Sequence, residues 1–163
     1  MTTVQTIRPA EASDLEVMLE LANSRREKYE TYQPVFWHAA HDAPARQRDF
    51  FTNQISDETV ITLVESSDGI LTGFAIGRLV EAPPVYNPGG PTCSIDDFAV
   101  DRPESWATVG VDLLRAMQKE AFSRGAAQLV VVCGHLDEPK RAALASCALT
   151  IASEWWVAPL GEE

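Results

Sequence analysis

The chain has 163 residues, of which 45% are hydrophobic and 23% are charged, which fits one globular domain over residues 1–163. Its formal net charge of -11 disfavours nucleic acids and membranes as partners, because like charges repel, and weakly favours cationic ligands such as amines. Three cysteines without tight spacing predict neither a disulfide framework nor a zinc site. The sequence shows no long apolar run and no basic leader, so a reducing cytoplasm is the expected location.

The first part of the chain predicts one strand and two helices. Alternation over residues 4–8 predicts a short strand. Ser13 or Asp14 can cap a helix whose apolar residues recur at helical spacing. The polar stretch 23–32 is expected to continue as a second helix, which Pro34 interrupts. The remaining elements are, in chain order, a helix at 46–55, strands at 60–65 and 70–80, a loop at 83–91, a strand at 93–100, a helix at 108–124, a buried strand at 128–133, a helix that Asp137 caps, and a last strand at 153–160.

This order of elements predicts the fold class. The β-branched runs on either side of the turn 66–69 indicate an antiparallel hairpin, because Gly69 can take the positive φ that such a turn needs. The later elements alternate strand, helix, strand, helix and strand. Together they predict an α/β (α+β) domain with a mixed, mostly antiparallel central sheet and helices on both faces.

Two short patterns within this order carry a resemblance to a known family. The chain opens with Thr6-Ile7-Arg8-Pro9-Ala10-x-x-x-Asp14, and a later strand reads Ile95-Asp96-Asp97-Phe98-Ala99-Val100. With the long helix and buried strand that follow, these patterns resemble the GNAT superfamily of acyl-CoA N-acyltransferases over nearly the whole chain. The resemblance implies acetyl-CoA as cosubstrate, a small amine as acceptor and no metal.

The resemblance also implies where acetyl-CoA would bind. In the family, backbone groups of the acidic strand hold the pantetheine arm, and a glycine-rich loop at the start of the long helix holds the pyrophosphate, since a helix N-terminus favours anions. The implied positions are Phe98, Ala99, Val100, Ser105, Trp106, Thr108, Val109 and Gly110. Of the family's loop pattern Arg/Gln-x-x-Gly-x-Gly/Ala, only the last small residue is kept, at Gly110. With the bulk of Trp106 beside it, we expect weakened CoA binding or a different path of the loop.

The acidic strand supplies the candidate general base. By resemblance Asp96 deprotonates the amine, directly or through one water, and Asp97 holds substrate or water. Adjacent strand residues are expected to point to opposite faces. Both residues could also be ordinary acidic residues at the end of a strand.

The proton donor for the leaving thiolate is less clear. The family uses a tyrosine near the position of Leu144, but no tyrosine follows Tyr86. The nearest groups with a proton are Ser146 and Cys147, of which Cys147 is the candidate because of its pKa. It could equally be a buried, unreactive cysteine.

Several further residues are candidates for contacts with the acceptor: Trp37, Tyr86, Asp97 and His135. Plain packing or a dimer contact is an alternative for Trp37, and an idle position in solvent is one for His135. Of Trp155 and Trp156 on the expected last strand, one is expected in the core and the other at an interface, so a homodimer is possible. His38 and His41 lack the further ligands of a metal site.

The leading interpretation is an acetyl-CoA-dependent N-acetyltransferase that acts on a small amine by direct attack in a ternary complex. A rival is a non-catalytic GNAT-like domain that binds a ligand or a partner, which the altered loop and the missing tyrosine favour. A third interpretation is a purely structural or dimerisation module without a ligand in the cleft.

Overall fold

The computed structural model describes residues 2–161. Within them one sheet is built from β1 (Gln5–Pro9), β2 (Val60–Ser67), β3 (Ile70–Val80), β4 (Thr92–Val100) and β5 (Gln128–Val131). The α-helices are α1 (Leu15–Tyr32), α2 (Ala43–Ser56), α3 (Val109–Ser123) and α4 (Glu138–Ser146). Short 3-10 helices lie at Ala12–Asp14 and Pro103–Ala107. Over the described residues, none of these helices is long and apolar enough to cross a bilayer.

The strands neighbour one another in chain order. β1 to β4 pair antiparallel and β5 runs parallel to β4, which confirms a mixed, mostly antiparallel sheet. β5 pairs with β4 only as far as Ile95 opposite Val131, and one further bond runs from the Val132 amide to the Ile95 carbonyl at 3.0 Å. The second half of β4 therefore has a partner strand on its β3 side alone.

Helices cover both faces of the sheet, as expected. α1 and α2 pack on one face, where Met18 and Phe51 meet Phe74 of β3. α3 and α4 pack on the other, where Leu113 and Ala143 belong to one core with β4. α3 carries its apolar residues as a stripe at helical spacing, which is what burial of one helix face against a sheet requires.

Three sequence predictions about the elements are wrong. The expected pair of N-terminal helices is one continuous helix, α1, because nothing breaks it before its end and Pro34 comes after that end. The strand expected to be buried on both faces is β5, in which two of the four residues are exposed. The expected last strand is absent: residues 150–161 have no regular structure, and Trp155 and Trp156 are 79% and 90% exposed. A strand needs a neighbour that pairs with its backbone, and residues 150–161 pair with no strand of the sheet.

A bulge in β4 overturns the expected arrangement of the two aspartates. Between the pairs Ile76–Asp97 and Arg78–Ser94, β4 contains one residue more than β3. An extra residue shifts the alternation of side chains. Asp96 therefore bonds Arg78 beside α2, and Asp97 bonds a side chain of α1, so both carboxylates lie on the same face of the sheet.

Candidate functional site

A buried lysine occupies the unpaired edge of β4. Lys140 extends from the first turn of α4 and is fully buried. Its Nζ donates to the Phe98 carbonyl at 3.3 Å and lies 5.3 and 5.2 Å from the ring centroids of Phe98 and Trp106. Burial, together with a smaller effect of repulsion from Arg25, lowers the pKa of Lys140 to about 8. An amine in this state can give or take a proton near neutral pH.

Trp106, in the 3-10 helix before α3, packs against the same part of β4. Its ring meets that of Phe98 edge to face at 4.8 Å, and 6% of the residue is exposed. A Cβ at position 110 would collide with the indole, so only glycine fits there. Val109 and Val111, in the first turn of α3, are 5% and 8% exposed. The helix end that the resemblance assigns to a pyrophosphate is thus covered by the chain's own residues.

The other expected cofactor contacts surround this point. Phe98 and Ala99 are buried in the sheet, and Val100 ends β4 half-buried. The buried Ser105 accepts a bond at its carbonyl from the Thr108 amide at 3.2 Å, which closes the turn before α3. Thr108 is exposed and does not cap the helix with its hydroxyl. The structure therefore brings the eight predicted positions together, and their binding of acetyl-CoA stays a prediction.

The two aspartates have different partners. Arg25 of α1 donates to the Asp96 carbonyl at 2.8 Å and to Asp97 Oδ1 at 3.1 Å, and Gln47 of α2 donates to the same oxygen at 3.4 Å. The Asp96 carboxylate accepts from Arg78 at 3.0 Å, and 46% of its side chain is exposed. Asp97 therefore positions Arg25. Asp96 stays reachable by water and by an acceptor, as a general base requires.

A buried hydrogen bond ties α1 to the turn before α4. Tyr29 is 3% exposed, and its hydroxyl donates to Asp137 Oδ2 at 2.7 Å. Burial raises the pKa of Tyr29, and the negative charge of Asp137 raises it further. Burial also raises the pKa of the neighbouring Cys133 thiol, against a smaller opposing effect of Lys140. This network fixes the start of α4 and with it Lys140.

A cavity of about 270 Å³ lies on the α1–α2 side, next to Arg25. Trp37 lines it, with ring centroids 5.1 Å from Tyr29 and 4.7 Å from Phe36. The residues around it are Arg25, Arg26, Tyr29, Phe36, Trp37, His38, Ala39, Ala40 and Ala43. Trp37 is thus placed beside the arginine that binds Asp97. Its contact with an acceptor remains a prediction.

Three predicted site residues lie apart from these groups. Tyr86 is 71% exposed in the loop between β3 and β4 and does not line the cavity. His135 is exposed in the turn after β5. Cys147 follows the end of α4, two helical turns and roughly 10 Å beyond Lys140. No group of three or more potential metal ligands occurs within residues 2–161.

Sequence reasoning missed Lys140 and Arg25. A lysine in Asp-Glu-Pro-Lys-Arg is typical of a solvated first turn, and an arginine in a polar helix is typical of an exposed face. Their burial follows from packing between elements that are distant in the chain. The only local signal is Asp137, which caps α4 as expected by accepting from the Lys140 amide at 3.4 Å.

Comparison of the fold with solved structures gives whole-chain similarity at low identity. A point mutant of the BH1408 protein from Bacillus halodurans matches with a TM-score of 0.82 and 17% identity, covering 95% of this chain and 99% of that one. A predicted acetyltransferase with acetyl-CoA from Clostridium acetobutylicum matches with a TM-score of 0.74 and 14% identity over 96% of both chains. A GCN5-related N-acetyltransferase from Ralstonia eutropha matches with a TM-score of 0.72 and 17% identity, covering 97% of this chain and 100% of that one.

Comparison of the sequence with models of protein families gives no match. No curated protein matches it either. The structural similarity covers 95%, 96% and 97% of this chain in the three matches. The chain has the fold of the GNAT acetyltransferases.

Proposed function

We propose that the chain is an acyl-CoA-dependent N-acyltransferase that uses acetyl-CoA to acetylate a small amine. One observation carries the proposal. The second half of β4 lacks a partner strand on its β5 side. A predicted acetyltransferase with acetyl-CoA shares this fold over 96% of both chains. Backbone groups on that edge have no strand partner and can bond the pantetheine arm of a donor once the side chains of Lys140 and Trp106 move aside.

The residues at this edge suit direct transfer. Asp96 removes a proton from the amine, directly or through water, once the acceptor displaces Arg78 from the carboxylate. A backbone N–H near Phe98 polarises the thioester carbonyl. Lys140 replaces Cys147 as the candidate that protonates the departing thiolate, because its Nζ is already bonded to the Phe98 carbonyl and its pKa is about 8.

A second candidate function, a non-catalytic GNAT-like ligand-binding domain, is favoured by a different observation. Lys140 and Trp106 fill the space beside β4, and the first turn of α3 is buried. Acetyl-CoA has to displace these side chains in order to reach the strand. If displacing these side chains costs more free energy than acetyl-CoA binding supplies, the domain folds but does not bind acetyl-CoA.

Isothermal titration with acetyl-CoA, with CoA and ATP as controls, separates the two candidates. We expect micromolar binding with preference for acetyl-CoA, which then justifies an amine screen in which Asp96→Asn lowers kcat more than KM. Absence of binding at millimolar acetyl-CoA would contradict the transferase proposal. Lys140→Ala and Trp106→Ala then test the second candidate directly, since gain of acetyl-CoA binding in either variant identifies the blocking side chain.

A further inference from the structure

The cavity beside Trp37 carries two arginines although the chain as a whole is acidic. Its charged lining residues are Arg25 and Arg26, with the exposed His38 at its rim 3.4 Å from Glu30, and no lining residue is itself an acid. The net charge of the chain is -11. Asp97 already pairs with Arg25, so Arg26 supplies the positive charge that repels an amine and attracts an anion.

Arg26 lacks an acidic partner. Its side chain is half-buried and donates to Asn23 Oδ1 at 2.9 Å. Within residues 2–161 it forms no ion pair, whereas Arg25 next to it pairs with Asp97. Burial lowers the pKa of Arg26, and repulsion from Arg25 lowers it further. Asp97 and Glu27 oppose these effects in part. A bound anion would offset the repulsion from Arg25 further, because it supplies opposite charge to a partly desolvated guanidinium.

Arg25 is held in a fixed position. Its bonds to the Asp96 carbonyl and to Asp97 anchor it to β4, and its guanidinium carbon lies 5.8 Å from the centroid of the Tyr29 ring. An arginine has five N–H donors, so these two bonds leave donors for a ligand. A cation whose geometry is already fixed loses little conformational entropy when a ligand binds.

The rest of the cavity is apolar. Phe36 and Trp37 pack edge to face, and Ala39, Ala40 and Ala43 complete the wall. A volume of about 270 Å³ accommodates one aromatic ring with a short side chain. Alanine side chains leave this space open, and the indole offers a flat surface for a ring.

We propose that this cavity binds a small carboxylate that carries an aromatic or other apolar group. The carboxylate lies on Arg26 beside Arg25, and the apolar group lies on Trp37 and Phe36. The site does not depend on the proposed acyl transfer. If acetyl-CoA also binds, the cavity holds the anionic end of the acceptor, whose amine then points toward Asp96.

Three probes of equal ring and chain length test the charge preference: 3-phenylpropionate, 3-phenylpropan-1-ol and 3-phenylpropylamine. They are titrated into the whole chain without acetyl-CoA and followed by ligand-observed NMR. We expect saturable binding of the carboxylate with a Kd of about 1 mM or lower, and weaker binding of the alcohol and the amine. Equal or tighter binding of the amine, or no binding of the carboxylate at any soluble concentration, overturns the proposal.

Variants assign the binding to the cavity. Arg26→Gln is expected to weaken 3-phenylpropionate at least about tenfold, and Trp37→Ala to weaken it as well. Arg115→Gln removes the same charge from an exposed position of α3 and should leave the Kd unchanged. Unchanged affinity in a folded Arg26→Gln variant counts against the site. If that variant does not fold, the preference of the wild-type chain among the probes decides. Failure of the acetyl-CoA titration leaves this result unaffected.

Discussion

At the scale of single residues, the fold buries two ionisable side chains in different ways. Lys140 has a carbonyl and two aromatic rings as partners. Glu65 of β2 is 1% exposed, and neither oxygen of its carboxyl group has a hydrogen-bond partner. A buried charge without a partner is strongly unfavourable, so Glu65 is expected to carry a proton in the folded chain.

Glu65 makes the stability of the chain depend on pH. Burial, together with a smaller effect of the nearby Asp112, raises its pKa from 4.5 to about 7. Between these two values the folded chain keeps a proton that the unfolded chain has lost. The free energy of unfolding therefore falls as the pH rises through this window and levels off above it.

Glu65→Gln removes this dependence. We expect the variant to be more stable than the wild type by about 3 kcal/mol at pH 8 and to differ little at pH 4, because the amide stays neutral. Urea unfolding at both pH values measures the difference. Glu81→Gln, at an exposed position, serves as the control for loss of a surface charge. A wild-type stability that does not change from pH 5 to pH 8 would contradict the assignment.

The sequence identifies the acidic residues of the site, but it does not predict the direction of their side chains or their partners. Asp96 and Asp97 stand out as acids in an apolar strand, and the structure places them at the bulge of β4. Strict alternation assigns them to opposite faces, since nothing local marks the extra residue. Arg25, which bonds Asp97, and Lys140, which bonds the Phe98 carbonyl, come from α1 and α4, and only the packing of those helices against β4 identifies them.

At the scale of elements, strands and helices with a clear hydrophobic period are predicted within a few residues. β2, β3 and β4 have β-branched runs, and α3 has an apolar stripe that ends before Gly125, whose φ of 91° suits a helix end. The last strand is the exception. Its tryptophans favour a strand by propensity, but propensity supplies no neighbour for the backbone to pair with.

The end of α4 contains a residue in an unfavourable conformation. Ala148 follows the helix with a φ of 64°, in the left-handed region, where a Cβ is disfavoured. Ala148→Gly is expected to raise the free energy of unfolding by about 0.5 kcal/mol, the relief of strain exceeding the greater entropy of the unfolded glycine. Ala145→Gly, within the helix and exposed, should lower it by about 1 kcal/mol.

Thermal and urea unfolding of the two glycine variants distinguish the effects, because the substitutions are chemically identical and lie three residues apart. Equal destabilisation by both would mean that the backbone at Ala148 is not left-handed in solution. The comparison also tests the position of the C-terminus of α4, which determines where the following tail leaves the domain.

At the scale of the whole molecule, the tail after α4 leaves a large apolar surface uncovered. The exposed fractions of Ile151, Trp155, Trp156 and Leu160 are 67%, 79%, 90% and 99%. Trp155 meets Phe36 edge to face at 5.6 Å, so the tail passes near the rim of the Trp37 cavity. Several large apolar side chains exposed within one short segment suit an interaction surface.

A second copy of the chain is the partner that we propose for this tail. β5 is the last strand of the sheet, and its outer edge has no partner among the described residues. Each copy therefore carries both an uncovered extended segment and an unpaired strand edge. A two-fold arrangement can satisfy both at once, because an isologous interface repeats the same contacts in both directions.

Light scattering after gel filtration tests the dimer at micromolar concentration. We expect twice the mass of the 17.9 kDa chain and a monomer for the double variant Trp156→Ser with Leu160→Ser, because both removed side chains are exposed and contribute nothing to the fold of one chain. Tyr86→Ser, at a position that is also exposed but far along the chain from the tail, should remain dimeric. A monomeric wild type would contradict the dimer and mean that another partner covers the tail. A dimeric double variant would mean that the interface lies elsewhere on the surface.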